Sequence, residues 1–561
     1  MNIAMRDLAP PIGADAVPDA AGQNLWRADP AFARLLPLYL PADLLDVLLP
    51  QLDRLGALAG ADLDALAGTA DRNPPKLVHR TRRGEDMQTV DYHPAYRDME
   101  RLAFGEFGLA AMSHRPGVFG WNAPLPPAAK YALTFLFAQA EFGLLCPVNM
   151  TDSLTRTLRR FGDPELVARY LPLLTSQDMD ALHQGAMFMT EQGAGSDIAA
   201  TAVTAEVQND GTHHLWGDKW FCSNPDAELA LVLARRNGGT AGLKGVSLFL
   251  LPRTLPDGTP NALRIIRLKD KLGTRSMASG EVRLEGAKAW LIGDPEAGFK
   301  QMADMVNSSR LSNGVRAAGM MRRAVTEALF VARNRRAFGK RLVEMPLMRR
   351  QLVKMILRAE QARAMVFQTA DALRASDAGE EGAAALLRIL TPLVKFRACR
   401  DARQVAGDAM EVRGGCGYIE EWPEARLLRD AHLGSIWEGT SNIVALDVLR
   451  AAEREAGFAA LSAHIRKRLA EAPLEGCEAA LERARHLLDR AQSDPALARS
   501  AASALYHIMS AAALAWEAAS AGDANRAALA RMVLTHRVLP RDPLAVEDAD
   551  AASLPALLEA A

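Results

Sequence analysis

The feature that most constrains this chain is that its hydrophobic period changes twice. Up to about Asp180, apolar residues recur at helical spacing in stretches broken by Pro and Gly: Ala42–Leu55, Leu102–Met112, Pro127–Phe142 and Pro164–Leu174. Asp163 stands before Pro164 as an N-cap, a common start signal for a helix. From about Gln184 to Gly293 the apolar runs shorten. Ala202–Val207, His214–Trp220, Leu229–Ala234, Val246–Leu251, Leu263–Arg267 and Glu281–Leu284 read as strands between Gly, Asn, Asp and Pro turns. After Phe299 helical periodicity returns in long stretches near 300–334, 345–375, 384–413 and 441–470, followed by a helical tail to about Val538. No internal repeat is visible.

At 561 residues the chain exceeds one ordinary core. The pattern predicts an α+β protein of four segments: a helical domain over 1–183, a β domain over 184–296, a helix bundle over 297–450 and a helical extension over 451–561. A β domain set between helical ones creates clefts of the kind cofactors occupy. The net charge of −1 demands no polyanionic partner. Cys146, Cys222, Cys399, Cys416 and Cys477 form neither a CxxC pair nor a Cys/His cluster, which argues for a reducing compartment and against a zinc site or any other metal. The N-terminus, MNIAMRDLAPPIGADAVP, lacks a basic patch followed by an apolar core, so no secretory leader is expected. Ala501–Trp516 is short for a membrane span and carries His507, which favours a buried helix. The expectation is a cytoplasmic protein.

Four motifs carry chemistry. In Thr190-Glu191-Gln192-Gly193-Ala194-Gly195-Ser196-Asp197 the small residues leave backbone N–H groups accessible to an anion, with hydroxyls from Thr190 and Ser196. A polar turn closed by Ser and Asp is the plain alternative. The spacing is neither a Rossmann fingerprint nor a Walker loop. Lys219-Trp220-Phe221-Cys222-Ser223-Asn224 could wall a planar ring and hydrogen-bond its edge, or could simply be a half-buried strand. Arg335-Arg336-Ala337-Phe338-Gly339-Lys340 places cations at a helix end, where they suit either the helix dipole or a pyrophosphate. Finally, Gly414-Gly415 reads as a helix stop. Downstream, Ile436-Trp437-Glu438-Gly439 sets one carboxylate between an aromatic and a glycine. Held against apolar surface, such a carboxylate would have a raised pKa, suiting a base for a weakly acidic C–H; a helix-start glutamate is the simpler reading.

Taken in order and spacing, these four motifs resemble the acyl-CoA dehydrogenase family, over roughly Pro74 to Arg450. The resemblance implies an N-terminal α domain, a β-barrel-like middle domain and a four-helix bundle, with FAD between the β domain and the bundle. By that resemblance Thr190 and Ser196 contact the isoalloxazine and pyrophosphate region, and Phe221, Cys222 and Ser223 line the ring. Arg335, Phe338, Gly414 and Gly415 would reach the FAD of a neighbouring subunit, which implies a homo-oligomer, expected to be a tetramer. Trp437 and Asn442 would complete the site. Glu438 would abstract the α proton of an acyl-CoA thioester while FAD takes the β hydride. An earlier helix position that carries the base in one branch of the family is Ser309-Arg310 here, so Arg310 is expected to order the site beside Glu438. The implied activity is dehydrogenation of a short or branched acyl-CoA such as isovaleryl-CoA; the electron acceptor is not implied.

A narrower resemblance is to the AidB-type branch, flavoproteins of the adaptive response to DNA alkylation. It is carried by Leu268–Ser276, Pro346-Leu347-Met348-Arg349, Ala409-Met410-Glu411-Val412 and Ser435–Gly439, with Asn73-Pro74-Pro75 and the long C-terminal extension. That branch implies a second reading, a DNA-associated protective protein with FAD structural or detoxifying. From Ala451 onward, however, twelve Arg/Lys face fifteen Asp/Glu, an acidic excess of three that opposes a broad phosphate footprint. What remains is a local patch for weak duplex binding, with Arg450, Arg466, Lys467, Arg468, Arg483 and Arg485 as its candidates.

Overall fold

Local signals set most element boundaries. The helix Pro164–Leu174 starts where Asp163 accepts a hydrogen bond from the Glu165 N–H, and the helix Pro94–Glu100 is capped in the same way by His93. These assignments come from a computed structural model, which describes residues 16–540, 544, 550 and 552–561. The first fifteen residues and Arg541, used above in judging the N-terminus and the charge of the extension, lie outside the described residues.

The expected order of helices, strands and long helices is observed. Differences are local. Leu102–Met112 is not a regular helix: a π-type turn covers Arg101–Glu106 and turns follow. The 441–470 stretch is two helices, Ser441–Arg454 and Gly457–Glu471, broken at Ala456, whose φ is 54°. The helical first segment also contains a two-stranded ribbon, Lys76–Arg80 with Asp86–Asp91.

The described chain forms two compact units. One comprises 65–125 and 141–309 and is built on a seven-stranded sheet. His213–Ser223 pairs antiparallel with Ser279–Leu291, which also pairs with Leu263–Leu268 and Val246–Pro252. Val246–Pro252 pairs with Leu229–Arg236, which runs parallel to Gly185–Phe188. Gly185–Phe188 returns to the first strand at Met187 and Ser223, so the pairings close a barrel-like ring. Inward positions, among them Phe188, Leu215, Cys222, Val232, Phe249 and Val282, fill the core.

The other unit comprises, among the described residues, 16–64, 126–140 and those from 310 onward. Its frame is the helices Pro346–Asp377 and Ala383–Arg413, joined by a short turn, with Gly298–Asn334 from Arg310 onward and Ser441–Arg454. The extension is anchored to this frame by buried polar contacts. Arg526 bonds Glu360 at 2.7 Å and pairs with Glu517; on the same frame helix Arg363 bonds Asp29 of the N-terminal segment at 2.6 Å. The Ala-rich stretch lies in the helix Ala498–Ala521, where buried His507 and Ser510 meet Gln361 at 3.0 and 2.8 Å.

Candidate active site

In the β unit, the Thr190–Asp197 loop is held by a buried ion pair. Lys219 Nζ, on a fully buried side chain, lies 2.6 Å from Glu191 Oε1. The same carboxylate accepts the N–H groups of Ala202 and Val203 at 2.6 and 3.2 Å. Trp220 N–H donates to the Thr190 carbonyl at 2.9 Å. Fixed on this side, the loop leaves its small residues free on the other: a Cβ built on Gly193 or Gly195 meets nothing within 4 Å, and Ser196 is exposed. Thr190 is half-buried. A cavity of about 430 Å³ opens beside Gln192 and Gly193, lined also by Lys219, Trp220 and Glu281.

The strand after this loop shifts register between Lys219 and Cys222, and its side chains then alternate in and out of the core. Phe221 is 58% exposed, and Ser223 is half-buried with its Oγ 3.4 Å from that of Ser279. Cys222 points the opposite way and is fully buried in the sheet core, where burial pushes its thiol well above the ordinary cysteine range. The expectation that Cys222 lines a ring is therefore corrected: strand alternation gives that face to Phe221 and Ser223. Asn224 ends the strand at φ 55° and donates to Gln184 Oε1 at 3.0 Å. Lys269 Nζ sits 3.3 Å from the Trp220 ring centroid, a cation–π contact that backs the same segment.

In the helical unit, Trp437-Glu438-Gly439 forms the turn between Pro423–Gly434 and Ser441–Arg454. Glu438 has φ 55° and Gly439 φ 94°. A left-handed glutamate costs roughly 1–2 kcal/mol and persists only where its surroundings impose it. Here cations impose it. Arg310 Nε donates to the Glu438 carbonyl at 3.1 Å and is itself held by Asp447 at 2.7 Å. Lys395 Nζ donates to the Gly439 carbonyl. The Arg316 guanidinium lies 4.8 Å from the Trp437 ring centroid. Glu438 and Trp437 are half-buried, and Asn442 is exposed at the start of the next helix. Arg310 therefore contacts the backbone of this turn directly. Glu438 is among the charged groups that act on the Lys395 ammonium, so the turn's carboxylate sits within electrostatic reach of that cation.

Elsewhere in this unit Arg335 Nη1 donates to the Arg413 carbonyl at 2.8 Å, which joins the Arg335 segment to the Gly414–Gly415 turn. Gly414 has φ 76° and ψ −147°, a region open essentially to glycine alone, and a Cβ on Gly415 would meet nothing within 4 Å. Phe338 is 97% exposed, at the tip of the hairpin pairing Arg336–Ala337 with Lys340–Arg341.

The expected DNA patch is not assembled. Arg468 is buried, its guanidinium 3.7 Å from the Trp516 ring centroid, so it cannot present itself to a phosphate. Arg466 is bound by Glu478 and Glu482 at 2.8 and 2.6 Å. Arg450 pairs with Asp447 at 3.4 Å, and Arg485 lies 5.6 Å from the Phe458 ring centroid. Lys467 and Arg483 are exposed.

The residues missed from the sequence are Glu191, Lys219, Arg316, Lys395 and Asp447. The one available signal was a lysine inside the apolar run Leu390–Phe396. Among the described residues no group of His, Cys, Asp and Glu could hold a metal ion, and no helix is long and apolar enough to cross a membrane. A flavin fits what is present. The open glycine loop and Ser196 suit its phosphates, and the outward Phe221 beside Ser223 suits a planar ring.

Comparison with known proteins agrees. Residues 15–181 match the adaptive response protein AidB N-terminal domain, residues 186–287 the acyl-CoA dehydrogenase middle domain, and residues 296–453 the acyl-CoA dehydrogenase C-terminal domain. The chain belongs to the acyl-CoA dehydrogenase family. Within it, the chain is 38% identical to the putative acyl-CoA dehydrogenase AidB of Escherichia coli over 416 residues, 72% of this chain and 73% of that protein. Acyl-CoA dehydrogenase family member 11 of Caenorhabditis elegans is 32% identical over 437 residues, 76% of this chain and 70% of that protein. Among solved structures, Bd2924 in its apo form is 32% identical with a TM-score of 0.83, over 90% of this chain and all of that one. Caenorhabditis elegans ACDH-11 in complex with C11-CoA is 28% identical with a TM-score of 0.86, over 96% of both chains.

Proposed function

We propose that this protein is an FAD-dependent dehydrogenase that removes hydrogen across the Cα–Cβ bond of an acyl-CoA, with Glu438 as its base. The observation that carries this reading is the strained turn at Glu438. A non-glycine residue is held at φ 55° on cationic side chains, the kind of imposed strain found where a side chain must be presented. The ACDH-11 complex with C11-CoA supports an acyl-CoA as ligand class, and short or branched chains such as isovaleryl-CoA are the substrates we propose.

The division of labour follows. The thioester acidifies the α C–H, and the Glu438 carboxylate accepts that proton. Arg310 fixes the Glu438 backbone so that the carboxylate does not search for its position. FAD, when bound, supplies the hydride acceptor. Thr190, Ser196, Phe221 and Ser223 would hold it, with Trp437 and Asn442 nearby. Arg335, Phe338, Gly414 and Gly415 would serve the FAD of a neighbouring subunit in a homotetramer. The 97% exposure of Phe338 in the single chain supports such an assembly.

The test is anaerobic: the flavin should bleach on addition of butyryl-CoA or isovaleryl-CoA and not on addition of free CoA. A fully loaded protein that no acyl-CoA bleaches would overturn the reading. The DNA-associated alternative has less behind it, because of its candidate charges Arg468 is buried and Arg466 is already paired with Glu478 and Glu482, which leaves few exposed cations.

A further inference from the structure

The helix Ala383–Arg413 carries Lys395 with its side chain 1% exposed. Burying an ammonium is costly, and a buried lysine that merely fills space is readily replaced by an apolar side chain. This one is directed at the left-handed Glu438 turn: its Nζ donates to the carbonyl of Gly439, the residue after Glu438. Arg310, from another helix, donates to the carbonyl of Glu438 itself. Two successive carbonyls of a left-handed turn are thus gripped by two cations from two rigid elements. Without those donors the turn would be free to relax toward ordinary backbone conformations, carrying the carboxylate away.

We propose that Lys395 is a positioning residue for Glu438: its ammonium holds the Gly439 carbonyl, and so the turn that presents the carboxylate. The proposal rests on the reading of Glu438 as the base. The charged and titratable groups facing Lys395 are Cys399 on its own helix, Arg310 on the Gly298–Asn334 helix and Glu438 on the turn. Burial brings the Lys395 ammonium down to about 8; Arg310 pushes the same way, while Cys399 and Glu438 oppose. Lys395 is therefore mostly protonated at neutral pH and loses its charge as pH rises through about 8. A protonated Lys395 favours the anionic base, so removing it moves the acid limb of the rate profile to higher pH.

The experiment compares wild type with K395M, K395Q and K395R at equal FAD content. It records kcat and KM for butyryl-CoA across pH 5–10. It also follows exchange of the α hydrogens of butyryl-CoA in D2O by proton NMR, which reports the base without a completed turnover. For K395M we expect kcat to fall roughly 10- to 100-fold with little change in KM, consistent with lost general-base efficiency. Its acid limb should rise by about one pH unit, and α exchange should slow in parallel. K395Q, which retains a donor, should regain part of the rate but not the acid limb, and K395R should retain the acid limb. The wild-type profile should also inflect near pH 8, and that inflection should vanish in K395M and K395Q. Variants with wild-type kcat and acid limb overturn the proposal. If K395M does not fold, an unshifted acid limb in K395Q overturns it equally, as does a wild-type profile without the inflection. E438Q is run alongside. If it still exchanges α hydrogens, the base assignment itself fails; if it is inactive while the Lys395 variants behave as wild type, only the proposal made here fails.

Discussion

Glu191→Ala should loosen the Thr190–Asp197 loop far more than the loss of an ordinary loop side chain would. Glu191 is 7% exposed and meets Lys219, which is 0% exposed, at 2.6 Å; it also accepts the N–H groups of Ala202 and Val203. Truncating it leaves an ammonium buried without its carboxylate and two backbone donors without theirs. Breaking a buried pair in this way costs about 3–5 kcal/mol, most of it the penalty of the stranded charge. At roughly 1.4 kcal/mol per decade, local opening should become at least about a hundredfold more frequent. Because a loop can open without the whole chain unfolding, amide exchange of peptides spanning 186–203 reads the change directly. FAD affinity should fall with it. The double substitution Lys219→Met with Glu191→Gln removes both charges and keeps an amide acceptor, so it should recover much of the lost protection. Exchange in Glu191→Ala within threefold of wild type, or a double variant no better protected than the single, would refute the reasoning.

Other consequences are as direct. E438Q should lose about two to four orders of magnitude in kcat with FAD content unchanged, measured by steady-state turnover and flavin absorbance. Buried Arg413 faces both Glu327 and Glu424, at 2.6 and 2.5 Å; burial and the neighbouring Glu327 lift Glu424 from 4.5 to about 7. The folded state then binds that proton more tightly, so the contribution is complete below pH 4.5 and is lost as pH rises to about 7; thermal midpoints across that window should fall in wild type and flatten in E424Q. Gly414→Ala forces a side chain into a glycine-only conformation at a cost of about 1–3 kcal/mol, and should lower Tm and, on the neighbouring-subunit reading, FAD occupancy. Sedimentation of the FAD-loaded protein should show an assembly larger than a monomer; a stable monomer with full FAD would remove Arg335 and Gly415 from any shared site.

The legible part of the sequence was what local chemistry writes. Asp163 before Pro164 marked a helix start, and short apolar runs between turns marked strands, because caps and turns act within a few residues. Glu438 was legible as an oddity, a carboxylate between Trp437 and Gly439. Its electrostatic setting was not, since Arg310 stands 128 residues from Glu438 and Lys395 stands 44 residues from Gly439. Cys222 was misplaced for a related reason. The register shift between Lys219 and Cys222 decides which face each residue takes, and a bulge leaves no mark in composition. Glu191 and Lys219 were each written inside a motif, yet their pairing is a property of the folded sheet.

The extension shows the same limit from the side of charge. Counting gave it an acidic excess of three and left a patch of arginines as the remaining route to a duplex. Duplex affinity depends on how many cations are free to release counterions, and counting cannot tell free cations from committed ones. In the folded chain Arg468 stacks on Trp516, Arg526 is shared between Glu360 and Glu517, and Arg466 spans Glu478 and Glu482. The first two are buried and hold helices of the extension to the bundle, so their charge is used in joining the two parts of the unit. Reversing Lys467 and Arg483, which stay exposed, should therefore leave affinity for a short duplex unchanged at physiological salt, whereas reversing Arg468 should lower Tm.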